Sequence, residues 1–530
     1  MEKKELWFLF IILMFFFFSI VNGCGESIDT KVNRYPNKSL LFSADSVEAS
    51  IGDTDTVIID ARSSGYSSSH IPGAISMLWS DYTDTDFNLK SVSDLEIQLS
   101  EAGIRRNMRF IIYDDTTESW GAAGRIFWML EYLGCTDVHL LNGGWDRWIA
   151  DGRLTETGTN TLPIDIFKAQ LKEDVLADKA HILDRRADED FVIIDPREDE
   201  EYNGWILYGE MRGGHIQGAL SMNYTLFFNS DKTVLGYEDL KDLLESRGIT
   251  RDKEVSSYCT AGIRSGFVYF VLRLMGYGQC SNYDGSIYEW SADPACPMDM
   301  LPNYQKLVYP GWVEELITGS NPGTEGSPAT YPGKGYTIIE VSETSENYDT
   351  GHIPGAINAY FAIFNGDNKS LLPDIELQGA IENLGITYDS TVILYGRSAP
   401  AVGRFAWTLM YAGVEDVRIL NGGYNAWIKN NGAKETTENA SVSVPFKRDV
   451  PGHPEYLATM SDVQKALQSG DIMLFDIRTF QEYTDGHIPG GILMDWNDWL
   501  DTDGTFRSYI EVEQMWSDFG IHRDDKIIFY

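Results

Sequence analysis

Cysteine is scarce in this chain, with Cys24, Cys135, Cys259, Cys280 and Cys296 the only five among 530 residues. So few exclude a disulfide-built scaffold, and their spacings lack the paired short intervals of a zinc site. Basic residues are scarce too: 42 Lys+Arg face 80 Asp+Glu, a formal net charge of −38. A field of that sign repels phosphate backbones and excludes nucleic-acid binding by bulk electrostatics. From residue 25 onward no apolar run is long enough to span a bilayer. What the chain has is 43% apolar and 13% aromatic residues, too many for a disordered acidic polymer. At roughly 150 residues per domain, its length predicts three or four globular domains.

The membrane-seeking segment is at the N-terminus. Lys3 and Lys4 precede an apolar run, Leu6 to Val21, that is dense in Phe. The run falls short of the about 20 residues of a spanning helix and has the proportions of a signal-peptide core. It ends in Val21-Asn22-Gly23-Cys24, which resembles a bacterial lipoprotein signal. Residues 1–23 are therefore read as a cleaved signal and Cys24 as the lipidated new N-terminus. The expected location is outside the cytoplasm, in the periplasm or cell envelope, with a membrane touched only through that N-terminal lipid anchor or signal. Plain secretion and an uncleaved anchor are the alternatives, and both export the chain.

Four segments read alike. Val57-Ile-Ile-Asp-Ala-Arg62 leads to His70-Ile-Pro-Gly-Ala74, and Val192-Ile-Ile-Asp-Pro-Arg197 leads to His215-Ile-Gln-Gly-Ala219. Thr337-Ile-Ile-Glu-Val-Ser342 leads to His352-Ile-Pro-Gly-Ala356, and Leu474-Phe-Asp-Ile-Arg478 leads to His487-Ile-Pro-Gly-Gly491. The histidines are 145, 137 and 135 residues apart, a domain-sized period. Each is followed after 43 residues by a tyrosine that ends an apolar run: Tyr113, Tyr258, Tyr395 and Tyr530. Copies one and three also share Leu141-Asn-Gly-Gly-Trp145 and Leu420-Asn-Gly-Gly-Tyr424, whereas copy two has Tyr283-Asp-Gly-Ser286. A two-domain unit duplicated once is the simplest history. The reading places domains at 41–155, 175–300, 336–436 and 456–530, with a Gly/Pro/Ser-rich linker at 319–335. Within a copy, short β-branched runs alternate with amphipathic helical stretches, the pattern of an α/β fold with a mainly parallel sheet flanked by helices.

In such sheets the chemistry sits where a strand's carboxyl end feeds a helix. The residue after each strand-ending tyrosine is Asp114 in copy one, Cys259 in copy two and Gly396 in copy three. Copy four stops at Tyr530 and is read as incomplete, with a second cysteine expected next. Copy two continues Tyr258-Cys-Thr-Ala-Gly-Ile-Arg-Ser265 into a helical stretch. A cysteine there faces backbone N–H donors and the positive helix end, which stabilise a thiolate. The same cradle accepts an anion, and Arg264 adds a fork of donors, so the site suits attack by sulfur on an anionic substrate.

These motifs, D-x-R, then H-I-P-G-A, then a strand into C-x-x-G-x-R-S, resemble the rhodanese family over almost everything from residue 41 to 530. The resemblance implies four rhodanese-like domains in which the first of each pair is inactive and the second carries the cysteine. It implies sulfane-sulfur transfer: Cys259 takes sulfur from a small anionic donor such as thiosulfate, forms a persulfide and passes sulfur to a thiol or cyanide. Thr260, Ala261, Gly262, Ile263 and Arg264 would hold the thiolate and the donor. Neither a cofactor nor a metal is required. Thr260 and Ala261 match neither the thiosulfate nor the mercaptopyruvate loop of the family, which leaves 3-mercaptopyruvate open as donor. Arg197 and Arg212 precede His215 and are candidates to approach the pocket, although Arg197 in D-x-R has a structural ion pair as its commoner role.

Other readings separate on simple grounds. A phosphatase loop of this fold type needs C-x5-R, and Cys259 to Arg264 is C-x4-R. An envelope sulfur carrier or interaction module without fast turnover would use the same cysteine. The four histidines recur in copies without a nucleophile and are read as turn residues. Cys135, Cys280 and Cys296 are read as core or loop residues, with a Cys280–Cys296 bridge permitted in an exported protein. Nothing around Asp114 in the sequence predicts a raised pKa, and copy one is read as inactive scaffold. In copy three, Glu340 and Ser342 stand where the D-x-R pair would be, and Gly396 cannot react.

Overall fold

The computed structural model describes residues 35–319, 335–523 and 525–530. The signal segment with Cys24, and the linker apart from Gly319 and Gly335, lie outside the described residues. The chain forms two compact bodies. Of the described residues, one holds those up to Arg197 together with Gly218–Trp290; the other holds Glu198–Gln217 and those from Ser291 to Tyr530. The stretch of copy two between its D-x-R and its His-Ile-Gln-Gly therefore folds with the second body, a division that the repeat boundaries did not anticipate.

In the first body, copy one is a five-stranded parallel sheet in the order Leu41–Phe42, Val138–Leu141, Arg109–Tyr113, Thr56–Asp60, Ile75–Ser76. Copy two repeats it as Leu176–Ala177, Cys280–Tyr283, Glu254–Ser257, Phe191–Asp195, Leu220–Ser221. Central strands such as Phe110-Ile111-Ile112 are buried on both faces, hence their uninterrupted apolar runs. In the second body, copy three forms the same five-stranded order around Tyr336–Ser342 and Thr391–Gly396. The described part of copy four has three parallel strands, Ile492–Leu493, Met473–Asp476 and Ile527–Phe529.

Copies one and two share one continuous apolar core. At its centre the helices Ala122–Tyr132 and Ile263–Leu274 cross on glycines. A Cβ on Gly124 would collide with the Phe267 backbone, and one on Gly266 with the backbone of Arg125. The pairing of copies repeats in the second body. Asn142 Oδ1 accepts from Val234 N at 2.9 Å in the first body, and Asn421 Oδ1 accepts from Phe506 N at 2.8 Å in the second. Alongside run Arg147–Asp231 at 3.0 Å and Lys429–Asp503 at 2.9 Å. The shared Asn-Gly-Gly turn is thus a docking element, and the same joint is built twice.

The 43-residue interval has a physical reason. Tyr113 Oη donates to Asp60 Oδ2 at 2.7 Å and accepts from Ile71 N at 3.1 Å, the residue after His70. Tyr395 does the same between Glu340 (2.9 Å) and Ile353 N (2.9 Å). Tyr258 donates to Asp195 at 2.6 Å, and Tyr530 accepts from Ile488 N at 3.0 Å. In copies one and three one hydroxyl thus ties the strand end to the D-x-R acid and to the histidine turn, which fixes the distance between them. The histidines are engaged locally. In each copy Nδ1 meets the carbonyl of a stacked tyrosine, from Tyr66 O at 2.8 Å to Tyr348 O at 3.0 Å, with Tyr202 and Tyr483 between.

Candidate active site

Strand Glu254–Ser257 delivers Tyr258 and Cys259 to a tight loop, and Gly262 caps the helix Ile263–Leu274 in the left-handed region at φ +75°. A helix start leaves its first N–H groups without intrahelical acceptors, and they face back into this loop. Cys259 is 1% exposed. Its own N–H donates to Ser286 Oγ at 3.2 Å, and its carbonyl accepts from Ile287 N at 3.0 Å. Tyr288 N donates to the Thr260 carbonyl at 3.3 Å. The Cys259 loop is thereby fastened to the segment after the last strand, and Ser286, the first residue of the helix Ser286–Ala292, is a contact that the linear motif did not mark.

Thr260, Ala261, Gly262, Ile263 and Arg264 are all buried around the thiol. Arg264 Nη2 donates to Thr260 Oγ1 at 2.8 Å, so the two polar side chains of the loop brace each other. Arg197 is 1% exposed, with its Nη2 2.7 Å from Asp195 Oδ2 and its guanidinium over the Tyr258 ring. Burial alone would raise the Asp195 carboxyl, but Arg197 and the bonds from Arg197 and Tyr258 hold it below the ordinary range. Arg197 thus forms the carboxylate pair that is the commoner role of its D-x-R position. Arg212 is spent on three carbonyls, those of Ser291 (2.8 Å), Asp293 (2.6 Å) and Cys296 (3.1 Å), within the second body. Cys135, Cys259, Cys280 and Cys296 are buried, and none of them is in a disulfide. Burial pushes the Cys135 and Cys280 thiols up to about 12, which leaves them inert as nucleophiles. Among the described residues no three His, Cys, Asp or Glu side chains converge as metal ligands.

Copies one and three differ from copy two in different ways. In copy one, Asp114 fills the cradle itself: Oδ1 accepts from Thr116 N and Oδ2 from Ala123 N, both at 2.9 Å. Burial outweighs those two bonds and pushes its carboxyl up to about 7, a shift absent from the sequence reading because it comes from tertiary packing. The native state therefore binds the Asp114 proton more tightly than the unfolded chain does. Stability should fall as pH rises from the ordinary carboxylate range to about 7, by at most roughly 1.4 kcal/mol per pH unit, and level off above it. Denaturation midpoints across that window should show this slope in the native protein and a flatter one in Asp114→Asn. Equal slopes would contradict it.

Copy three rebuilds the lost D-x-R pair from another strand. Arg397, two residues beyond Tyr395, forms an ion pair with Glu340, donates to Gly351 O at 3.1 Å and lies 4.0 Å from the Tyr424 ring centroid. In copy one, Arg62 pairs with Asp60, donates to Ser69 O at 2.6 Å and lies 4.0 Å from the Trp145 ring centroid. The guanidinium reaches the same place from a different position in the chain, and Glu340 and Ser342 are thus half of a relocated pair.

A buried thiol thus stands at a glycine-capped helix start in a parallel α/β domain. The model of the rhodanese-like domain matches residues 43–151, 178–293, 330–430 and 459–530. The chain belongs to that family, with four copies in tandem. It is similar to the thiosulfate sulfurtransferase of Pseudomonas aeruginosa, 30% identical over 258 residues that span 47% of this chain and 93% of the relative. It is also similar to the sulfur carrier protein TtuD of Thermus thermophilus, 30% identical over 276 residues, 48% of this chain and 95% of the relative. Among solved structures it resembles EanB bearing a cysteine persulfide in a tetrahedral intermediate state with ergothioneine. That likeness has a TM-score of 0.59 and 28% identity, and covers 67% of this chain and 89% of the other. Sulfur transfer is the chemistry of this class.

Proposed function

We propose that the protein is a sulfurtransferase that moves sulfane sulfur from thiosulfate, or a related donor such as 3-mercaptopyruvate, to cyanide or a thiol through a persulfide on Cys259. The observation that carries the reading is that, among the three copies in which this register position is present, only copy two has a thiol there, at the Gly262-capped helix start. With thiosulfate, the Cys259 thiolate attacks the outer sulfur. An Sγ–S bond forms, the S–S bond of thiosulfate breaks, and sulfite leaves with the electron pair. The acceptor then attacks the terminal sulfur, and the electron pair of the broken S–S bond returns to Cys259, so no external oxidant is consumed. The N–H groups of the Thr260–Arg264 loop would stabilise the thiolate and the persulfide anion at the helix start.

Thiosulfate and 3-mercaptopyruvate, each offered with cyanide, form the test. Saturable thiocyanate release with thiosulfate is expected, and release from mercaptopyruvate alone would move the assignment to that donor. The name of the Thermus relative favours a second reading, a sulfur carrier. Stoichiometric uptake of sulfur at Cys259 without turnover would select it. We also place the protein outside the cytoplasm on its N-terminal residues. Mass analysis of the native N-terminus should find a lipid-modified Cys24, and a chain still beginning at Met1 without lipid would contradict that.

A further inference from the structure

The loop that carries Cys259 is gripped by a residue of the other copy. Arg125, on the copy-one helix Ala122–Tyr132, is 1% exposed. Its Nη1 stands 2.5 Å from Asp284 Oδ1, its Nη2 donates to the Phe87 carbonyl at 3.1 Å, and its guanidinium lies 5.0 Å from the Trp128 ring centroid. Nη1 occupies the space beside the Cα of Gly262, where a side-chain carbon would collide with it. Asp284 also accepts from Leu89 N at 2.7 Å, and two residues on, Ser286 takes the Cys259 N–H. Phe87 stacks on Tyr288 with centroids 5.1 Å apart, and Tyr288 bonds the Thr260 carbonyl. Copy one therefore reaches the loop at Gly262 and, through Asp284 and Tyr288, on either side of the thiol.

The feature is repeated in the chain. Glycines stand ten residues before Gly134, Gly276 and Gly413, at Gly124, Gly266 and Gly403, and the next residues are Arg125, Phe267 and Arg404. The arginine occurs in the two copies that have Asp114 or Gly396 at the Cys259 position, and not in the copy with the thiol there. Arg404 lies 4.7 Å from the Trp407 ring centroid, as Arg125 lies 5.0 Å from that of Trp128.

We propose that Arg125 is a positioning residue for sulfur transfer, supplied by copy one to the Cys259 loop of copy two. This rests on the reading of Cys259 as the sulfur-bearing residue. A buried guanidinium paired to Asp284 is costly to displace, so it pins Gly262 in its left-handed conformation and keeps the first-turn N–H groups aimed at the sulfur. Charged groups near the loop include Arg264 from its own helix, Asp284 from the following turn, Glu289 from the helix beyond, bonded to Tyr283, the Asp195–Arg197 pair at Tyr258, and Arg125 from copy one. Loss of Arg125 should therefore disturb alignment more than donor capture.

Arg125→Gln and Arg125→Lys are the variants to compare, in the full-length protein. For Arg125→Gln, kcat with thiosulfate and cyanide is expected to fall about 100-fold while KM stays within about threefold. Arg125→Lys should recover about tenfold of that loss, because it keeps the charge beside Asp284. The midpoint of the pH profile for iodoacetamide alkylation of Cys259 should rise in the Gln variant. A Gln variant that melts earlier but keeps kcat and the alkylation midpoint has lost only packing, and that result overturns the proposal. If Arg125→Gln does not fold, Asp284→Asn, which keeps an acceptor for Leu89, must show the same fall in kcat, and an unchanged kcat there overturns it. Should the native protein transfer no sulfur, the alkylation midpoint alone decides on Arg125, and the failure belongs to the Cys259 reading.

Discussion

Cys259→Ser is expected to lower thiocyanate formation from thiosulfate and cyanide by about 10⁴-fold or more while leaving the fold intact. The hydroxyl is a poor nucleophile toward sulfur at neutral pH, and no neighbouring base in the loop would activate it. Its polar neighbours, Ser286, Thr260 and Arg264, are already bonded to backbone or to one another. Oxygen for sulfur changes little volume at a site that is 1% exposed, so the denaturation midpoint should move by no more than a few degrees. The other three described thiols give an internal control, because replacing Cys135, Cys280 or Cys296 with Ala should leave transfer within about threefold. A Cys259→Ser protein that retains activity within about tenfold of the native rate would remove Cys259 from the mechanism.

Asp195→Ala is expected to destabilise the first body by about 3–5 kcal/mol, the largest stability effect of a single change near the site. Asp195 is fully buried, and Arg197 beside it is 1% exposed. Removing the carboxylate breaks the ion pair of a buried guanidinium and takes the 2.6 Å acceptor from the Tyr258 hydroxyl. Denaturant unfolding would show the loss, and Asp195→Ala combined with Arg197→Met should recover most of it, since no charge is then stranded. Because the native Asp195 carboxyl is held below its ordinary pKa, its contribution is fully present above the ordinary aspartate range. It is lost as pH falls toward the lowered native value. Copy three supports the same logic, since with Ser342 in the arginine position a guanidinium returns at Arg397 to pair with Glu340. A loss below about 1 kcal/mol in Asp195→Ala would show that the pair is dispensable.

The four-fold repeat, the parallel α/β class and the Cys259 loop were legible because each rests on spacing along the chain. A strand, a tight turn and a helix start are local, and the 43-residue interval records one tyrosine hydroxyl bridging two nearby turns. What escaped the sequence reading comes from contacts between distant segments. Ser286 lies 27 residues after Cys259 and meets it only because the last strand, Cys280–Tyr283, runs beside the strand that carries the cysteine. Arg125 belongs to a different copy, although the glycine-arginine pair repeated as Gly403-Arg404 was a visible sign. Arg397 was hidden because the pair it completes had changed strands. The charge state of Asp114 depends on burial that no neighbouring residue announces. The passage of Glu198–Gln217 into the second body likewise breaks a rule that sequence boundaries assume, that one repeat packs as one unit.

The central claim is that sulfur is carried on Cys259. Intact-mass analysis of the protein after thiosulfate, before and after cyanide, with peptide mapping, tests it most directly. The account predicts a gain of one sulfur atom, located on the peptide that contains Cys259 and discharged as thiocyanate. Sulfur recovered on Cys135, Cys280 or Cys296, or transfer with no protein-bound sulfur at all, would contradict it.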